Sequence, residues 1–192
     1  FVRSWCQILA DRTADGNLLS QLLTLPSEVY LGEQTDAIDP GRIHQVRHAA
    51  RLQLGVAGRD LLLERYREAN HSQNYTVDPQ QVGERNLKNF CLSLLMLGGD
   101  PESIELCLKQ YEFAGNMTDR LAALSCVVSS RLSQRQVILE DFYQRWQQQP
   151  LVVDKWFMLQ ATADRESVCE DVSALLEHPA FTLDNPNRVR SL

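Results

Sequence analysis

Apolar residues recur along this chain at intervals of three and four, the period that gathers them on one side of a helix. Phe1, Trp5, Ile8 and Leu9 share such a face at the start. Leu87, Phe90, Cys91, Leu94 and Leu95 form another stripe, and Leu121, Leu124 and Val128 a third. Ile138, Phe142 and Trp146 make a fourth, and Val168, Val172 and Leu175 a fifth. No stretch alternates as a strand would. Helix-start signals separate the stripes. Asp39-Pro40, Asp78-Pro79, Asp100-Pro101 and Asn185-Pro186 each set a capping side chain before a proline. Proline suits the first helical position because its missing N–H would have no partner there. Ser133 with Gln136, and Asp78 with Gln81, stand at capping-box spacing or close to it.

These signals predict helices near 2–11, 17–24, 27–33, 40–70, 79–97, 101–113, 118–130, 134–148, 151–161, 165–177 and from 186 onward. The loops are short, so successive helices are expected to pack antiparallel. The fold class is therefore all-α, an irregular α-solenoid of antiparallel helix pairs resembling a HEAT or armadillo superhelix. No sequence repeat of fixed period accompanies it. A length of 192 residues allows one domain with a real core, or two small ones, and the reading is a single helical domain over 1–192. Both ends look cut: Phe1 opens inside a helical pattern, and Asn185-Pro186 starts a helix with only Asn187 to Leu192 after it. The expectation is a segment of a longer protein.

Composition narrows the function classes. Hydrophobic residues at 44% and charged residues at 23% are ordinary for a soluble globular chain. A formal net charge of −6 argues against a nucleic-acid or anionic-membrane surface. No apolar run approaches the ~20 residues that span a bilayer, and no signal-peptide pattern opens the chain. The 5 cysteines, Cys6, Cys91, Cys107, Cys126 and Cys169, are odd in number and form no CxxC pair. They read as buried, reduced thiols of a cytoplasmic protein.

Candidate chemistry is sparse. HQVRH at 44–48 places His44 and His48 four apart on a helix, the spacing at which two imidazoles can share a zinc ion. HExxH chemistry also needs a carboxylate base in the second position, where this chain has Gln45. Glu68 as a third ligand would lie roughly 30 Å along a continuous helix at ~1.5 Å per residue, unless Gly55 and Gly58 break it. A solvent-facing histidine pair is the plainer reading. Gly98-Gly99 follows a helix and lacks the Lys-Ser/Thr of a phosphate loop, so it reads as a helix stop before the Asp100 cap. His71 and His178 sit at predicted helix ends and give no cysteine a partner for a catalytic dyad. Trp156, Phe157 and Leu159 look like an aromatic binding box, but the helical spacing of Trp156 and Leu159 is that of core residues. Arg188 and Arg190 stand in the first turns of a helix, where the dipole gives a cation nothing. They need a carboxylate, either within the structure or on a ligand.

Three stretches together carry a family resemblance: YEFAGNMTDRLAALS at 111–125, PLVVDKWFMLQAT at 150–162 and FTLDNPNRVRSL at 181–192, with LLTLPSEVYL at 22–31 adding to it. The chain resembles the C-terminal helical domain of the bacterial aminopeptidase N family, the alanyl aminopeptidases, zinc metallopeptidases of the gluzincin type. The resemblance implies a fragment of a larger C-terminal domain, without its catalytic domain. The family's GxMEN and HExxH motifs are missing here, so no catalytic residue, zinc ligand or amino-group anchor is carried over to this chain. Zinc would belong to the parent enzyme. The family's helical domain caps the catalytic domain and encloses a chamber, and its NPNRxR segment faces the active site. By that resemblance Arg190, and beside it Arg188, line the substrate chamber. The implied partners are the catalytic domain of the same polypeptide and peptide substrates, in the bacterial cytoplasm, with no nucleic acid and no membrane span. The reading is a substrate-gating, non-catalytic domain of an enzyme that removes N-terminal amino acids from peptides. A stand-alone helical-repeat scaffold for a protein partner is the alternative, and a metal-binding protein built on His44 and His48 ranks last.

Overall fold

The computed structural model describes residues 1–70 and 75–192. The regular structure of the described residues is all helix, with no strand. The helices are α1 (Val2–Ala10), α2 (Gly16–Leu23), α3 (Glu28–Glu33), α4 (Pro40–Ala57), α5 (Arg59–Ala69) and α6 (Pro79–Gly98), then α7 (Pro101–Phe113), α8 (Met117–Val128), α9 (Arg135–Trp146), α10 (Pro150–Ala161), α11 (Val168–Leu176) and α12 (Pro186–Ser191). The chain divides into two compact units, Phe1–Ala123 and Leu124–Leu192.

Every Asx-Pro signal starts a helix in the expected way. Asp39, Asp78 and Asp100 each accept a hydrogen bond from the backbone N–H three residues on, at 3.0, 3.0 and 3.2 Å. Asn185 accepts from Asn187 and Arg188. Gln81 completes the Asp78 start by accepting from the N–H of Thr76 at 3.0 Å, two residues ahead of the cap. The stop of α6 is Gly99, at φ 65 in the left-handed region. The Ser133–Gln136 box does not form. α9 begins at Arg135 behind Gln134, which makes no side-chain cap bond. Arg135 itself fixes this start, donating to the carbonyl of Val128 at 3.0 Å and pairing with Asp171 at 2.8 Å. The expected helix at 40–70 is two helices. Gly58 ends α4 and precedes α5, and a Cβ there would lie 3.0 Å from the Trp5 ring and 3.0 Å from the Leu54 carbonyl. The break lets Trp5 close against the chain.

In the first unit α6 is the central post, packing on α2, α4, α5 and α7. Leu87, Cys91, Leu94 and Leu95 are buried there as their spacing requires, together with Leu92. Trp5 and Leu9 bury one face of α1, while Phe1 and Ile8 remain exposed. The indole N–H of Trp5 donates to the Leu23 carbonyl at 3.0 Å, so its burial leaves no orphaned donor. Two helices meet α6 at backbone distance. A Cβ on Gly16 would stand 2.3 Å from the Gly83 carbonyl oxygen, and one on Gly55 would stand 2.6 Å from the Leu94 carbonyl oxygen.

A buried polar network seats the start of α8 in this unit. Asn116 accepts from the Asp119 N–H at 2.9 Å and donates back to its carboxylate at 2.9 Å. Asp119 is 4% exposed and Lys88, 7% exposed, pairs with it at 2.6 Å. Asn89 and Gln110 complete the shell, and Tyr66 donates to Gln110. A buried carboxylate is tolerated only with this many donors, which explains the NMTD sequence at 116–119.

The second unit is built on α10, which packs on α9, α11 and α12. Phe142, Phe157 and Leu139 are fully buried in it, with Val153, Trp156 and Leu175 close behind. Trp156 donates to the Leu139 carbonyl at 2.9 Å. Phe157 takes the deep position that the spacing argument gave to Leu159, which is only half-buried. α10 is enclosed on more than one side, so a single stripe misidentifies its inward face.

Two predictions follow from unit 1. Gly16→Ala is expected to cost about 1–3 kcal/mol in urea unfolding, because the methyl meets backbone that cannot yield. Gly98→Ala, whose Cβ would have nothing within 4 Å, is expected to be neutral or to stabilise by about 0.4–1 kcal/mol. Equal effects of the two would refute the close approach. Arg59 holds the Asp100 carboxyl well below its ordinary range through a 2.8 Å hydrogen bond. A depressed carboxyl contributes stability above its unfolded value, near 3.8, and loses it as pH falls through the folded value. Asp100→Asn should therefore lower the urea midpoint at neutral pH, and the gap to the parent should close below about pH 3.8.

Candidate functional site

α12 is short, and its two arginines have opposite fates. Asn185 caps it and Pro186 occupies the first helical position. Arg188 follows one turn in and is 6% exposed. Its Nε donates to the Asp154 carboxylate at 2.6 Å and one terminal nitrogen donates to the Ala180 carbonyl. The other reaches the Pro150 carbonyl at 3.4 Å, and the guanidinium lies 5.0 Å over the Phe157 ring. The structural carboxylate expected for an arginine in this place is Asp154. Asp154 was not foreseen, although a lone acid among the apolar residues of PLVVDKWFMLQA was the available signal, since a carboxylate in such a helix needs a cation.

Arg190 is exposed, and its guanidinium makes no hydrogen bond or ion pair among the described residues. The same helix that spends one arginine on its own attachment therefore offers the other to solvent. A planar, always-charged fork held on a fixed backbone is suited to a carboxylate partner.

The histidine pair does not fit a metal ion. His44 Nδ1 lies 3.0 Å from the Glu28 carboxylate, which ties α4 to α3. The His44 and His48 rings are 6.2 Å apart and tilted, and no group of three or more His, Cys, Asp or Glu side chains among the described residues could hold a metal. His71 lies outside the described residues. His178 is half-buried against Tyr143, Trp156 and Phe157. Gly98 and Gly99 end α6 and form no phosphate cradle. No disulfide joins the five cysteines, and only Cys91 and Cys107 are buried. Cys6 and Cys126 are half-buried, and Cys169, in the first turn of α11, is exposed. Burial pushes the Cys91 thiol up to about 12, so it is inert.

Residues 1–192 match the family model described as a domain of unknown function (DUF3458_C) with ARM repeats. The chain belongs to that family. ARM repeats are stacked helices, so the α-solenoid expectation holds for this DUF3458_C domain. It is 42% identical over 185 residues to Aminopeptidase N of Escherichia coli, covering 96% of this chain and 21% of that protein. It is 40% identical over 181 residues to Aminopeptidase N of Haemophilus influenzae, covering 93% of this chain and 20% of that protein. Among solved structures, aminopeptidase A of Legionella pneumophila in complex with aspartic acid superposes with a TM-score of 0.88 at 30% identity, over 100% of this chain and 24% of that one. The DUF3458_C chain thus spans about a fifth of the length of the curated relatives it matches. Its likeness is to a helical, non-catalytic part of these peptidases.

Removing Arg188 would strand Asp154 in the core. Arg188→Ala is expected to destabilise the second unit by about 3 kcal/mol, and Asp154→Ala by a similar amount. Because each loss contains the same broken pair, the double variant should fall well short of their sum in denaturant unfolding. Strict additivity would show that the pair is not coupled.

Proposed function

We propose that this chain is the substrate-gating helical domain of a zinc aminopeptidase that removes N-terminal amino acids from peptides. The observation that carries the reading is the identity of 42% along 185 residues of an aminopeptidase N, covering nearly the whole chain. Residues 1–192 serve in this reading as one piece of a larger C-terminal helical domain, whose partner is the catalytic domain of the same polypeptide. Zinc and the bond-breaking groups belong to that catalytic domain, and no residue of this chain takes a zinc-binding role. The location is the bacterial cytoplasm, to which five cysteines outside any disulfide are suited.

Arg190 lines the substrate chamber and meets the C-terminal carboxylate or an acidic side chain of a bound peptide. Arg188, assigned to the same chamber by resemblance, contributes by position. Its guanidinium is bound to Asp154, Ala180 and Pro150, so it fixes the backbone from which Arg190 projects. The domain supplies enclosure and selection of length, and no proton transfer.

In the intact parent enzyme, Arg190→Ala is expected to lower kcat/KM roughly tenfold or more for peptides with a free C-terminal carboxylate, the worth of a charge-assisted hydrogen bond. C-terminally amidated peptides should lose much less. Unchanged kcat/KM for short and longer peptides alike would overturn the assignment.

A further inference from the structure

The segment joining α11 to α12 is gripped at a single residue from both sides. The backbone N–H of Ala180 donates to Nδ1 of His178 at 3.1 Å. The carbonyl of Ala180 accepts from the Arg188 guanidinium. The imidazole is fixed by rings from α9 and α10, with centroids 4.9 Å from Tyr143, 5.2 Å from Trp156 and 5.7 Å from Phe157. Phe181, next in the chain, donates its N–H to the His178 carbonyl at 2.8 Å and packs its ring on Phe157 at 6.1 Å. An imidazole nitrogen accepts a hydrogen bond only when it carries no proton, so this geometry requires neutral His178 with its hydrogen on Nε2.

We infer that His178 is a pH-operated latch on the 178–185 segment and, through Ala180 and Arg188, on the seating of α12. Neutral His178 accepts from Ala180 and closes the turn. The imidazolium has a donor at Nδ1, which faces the Ala180 N–H and opens it. The surrounding charges act in both directions. Arg188 from α12 opposes the imidazolium and Glu140 from α9 favours it. Asp154 on α10 is taken up by Arg188. Tyr143 on α9 presents its ring, and Glu177 precedes the histidine at the end of α11. Burial has the largest effect and holds His178 below its ordinary value of 6.5. A histidine depressed in this way contributes stability that is complete above 6.5 and lost as pH falls through the folded value. The latch therefore opens only in acid. Its consequence for peptide selection, though not the latch itself, rests on the reading of Arg190 as a chamber residue.

Amide hydrogen exchange on this chain, corrected to protection factors, tests the latch without any assay of activity. Between about pH 7.5 and about pH 4, protection at Ala180 and Val189 should fall roughly five- to tenfold, the worth of one hydrogen bond. The amides of α10 should keep theirs. His178→Asn sets a carboxamide oxygen near the place of Nδ1 and does not titrate, so it should hold protection constant across the range. Constant protection in the parent, or the same fall in the asparagine variant, would overturn the latch. If His178→Asn does not fold, Glu140→Gln serves instead. It removes an exposed charge that favours the imidazolium, so the fall should begin at lower pH, and an unmoved onset would refute the inference.

Discussion

A guanidinium leaves water only where other groups replace its hydration, and the attachment of α12 depends on that replacement. A six-residue helix buries little apolar surface of its own, and isolated helices of that length do not persist in water. Its position on α10 comes instead from Arg188, whose three nitrogens face a carboxylate and two carbonyls while its plane lies over Phe157. These partners come from α10, through Asp154 and Pro150, and from the 178–185 segment. One side chain thus ties α12 to two other pieces of backbone. Such a pair adds little net stability compared with apolar residues of the same shape, but it specifies one arrangement, because any other leaves a buried charge unanswered.

The first unit solves the same problem with different parts. Its cost lies in Asp119, and Lys88, Asn89 and Asn116 share the carboxylate between them. Here the polar core fixes where α8 begins against α6 and α7. The surrounding apolar contacts are less selective about register, since leucines tolerate sliding that a hydrogen-bonded carboxylate does not. Gly16 and Gly55 add a steric constraint, admitting α2 and α4 to α6 at distances that no side chain allows. Burial drives the association, and the charges and glycines choose its geometry.

What could be read from the sequence follows from the range of each interaction. All four Asx-Pro starts and the Gly99 stop were legible, because each is completed within about a turn of chain. The metal reading of HQVRH ranked last because Gln45 cannot serve as a base and no third ligand stands near His44 and His48 in the sequence. The break at Gly58 was visible only as an option, because the helix ends there to admit Trp5, more than fifty residues earlier in the chain. The Ser133 box failed for a similar reason: Arg135 found Val128 and Asp171 and displaced the start of the helix. Phe157 and Leu159 could not be ranked from a single stripe, since α10 is covered by three neighbours. Arg188 and Arg190 looked equivalent, and only the packing of Asp154 distinguishes them.

That distinction bears on how a surface arginine acquires a purpose. An exposed guanidinium on a flexible segment loses conformational entropy whenever it meets an anion, and much of the gain is cancelled. For the anion-binding role proposed for Arg190, α12 reduces that loss in advance. Its backbone is set by the Asn185 cap, by Pro186 and by the buried Arg188, two residues before the exposed side chain. Only the side-chain torsions of Arg190 then remain to be ordered. A helix too short to stand alone is thus made rigid by its interior face, and its exterior face presents one cation in a defined place. Anchor and presented group must be near neighbours in the chain, because rigidity decays within a turn of a frayed end. The spacing of NRVR satisfies this requirement, with one arginine held in the core and the next held out.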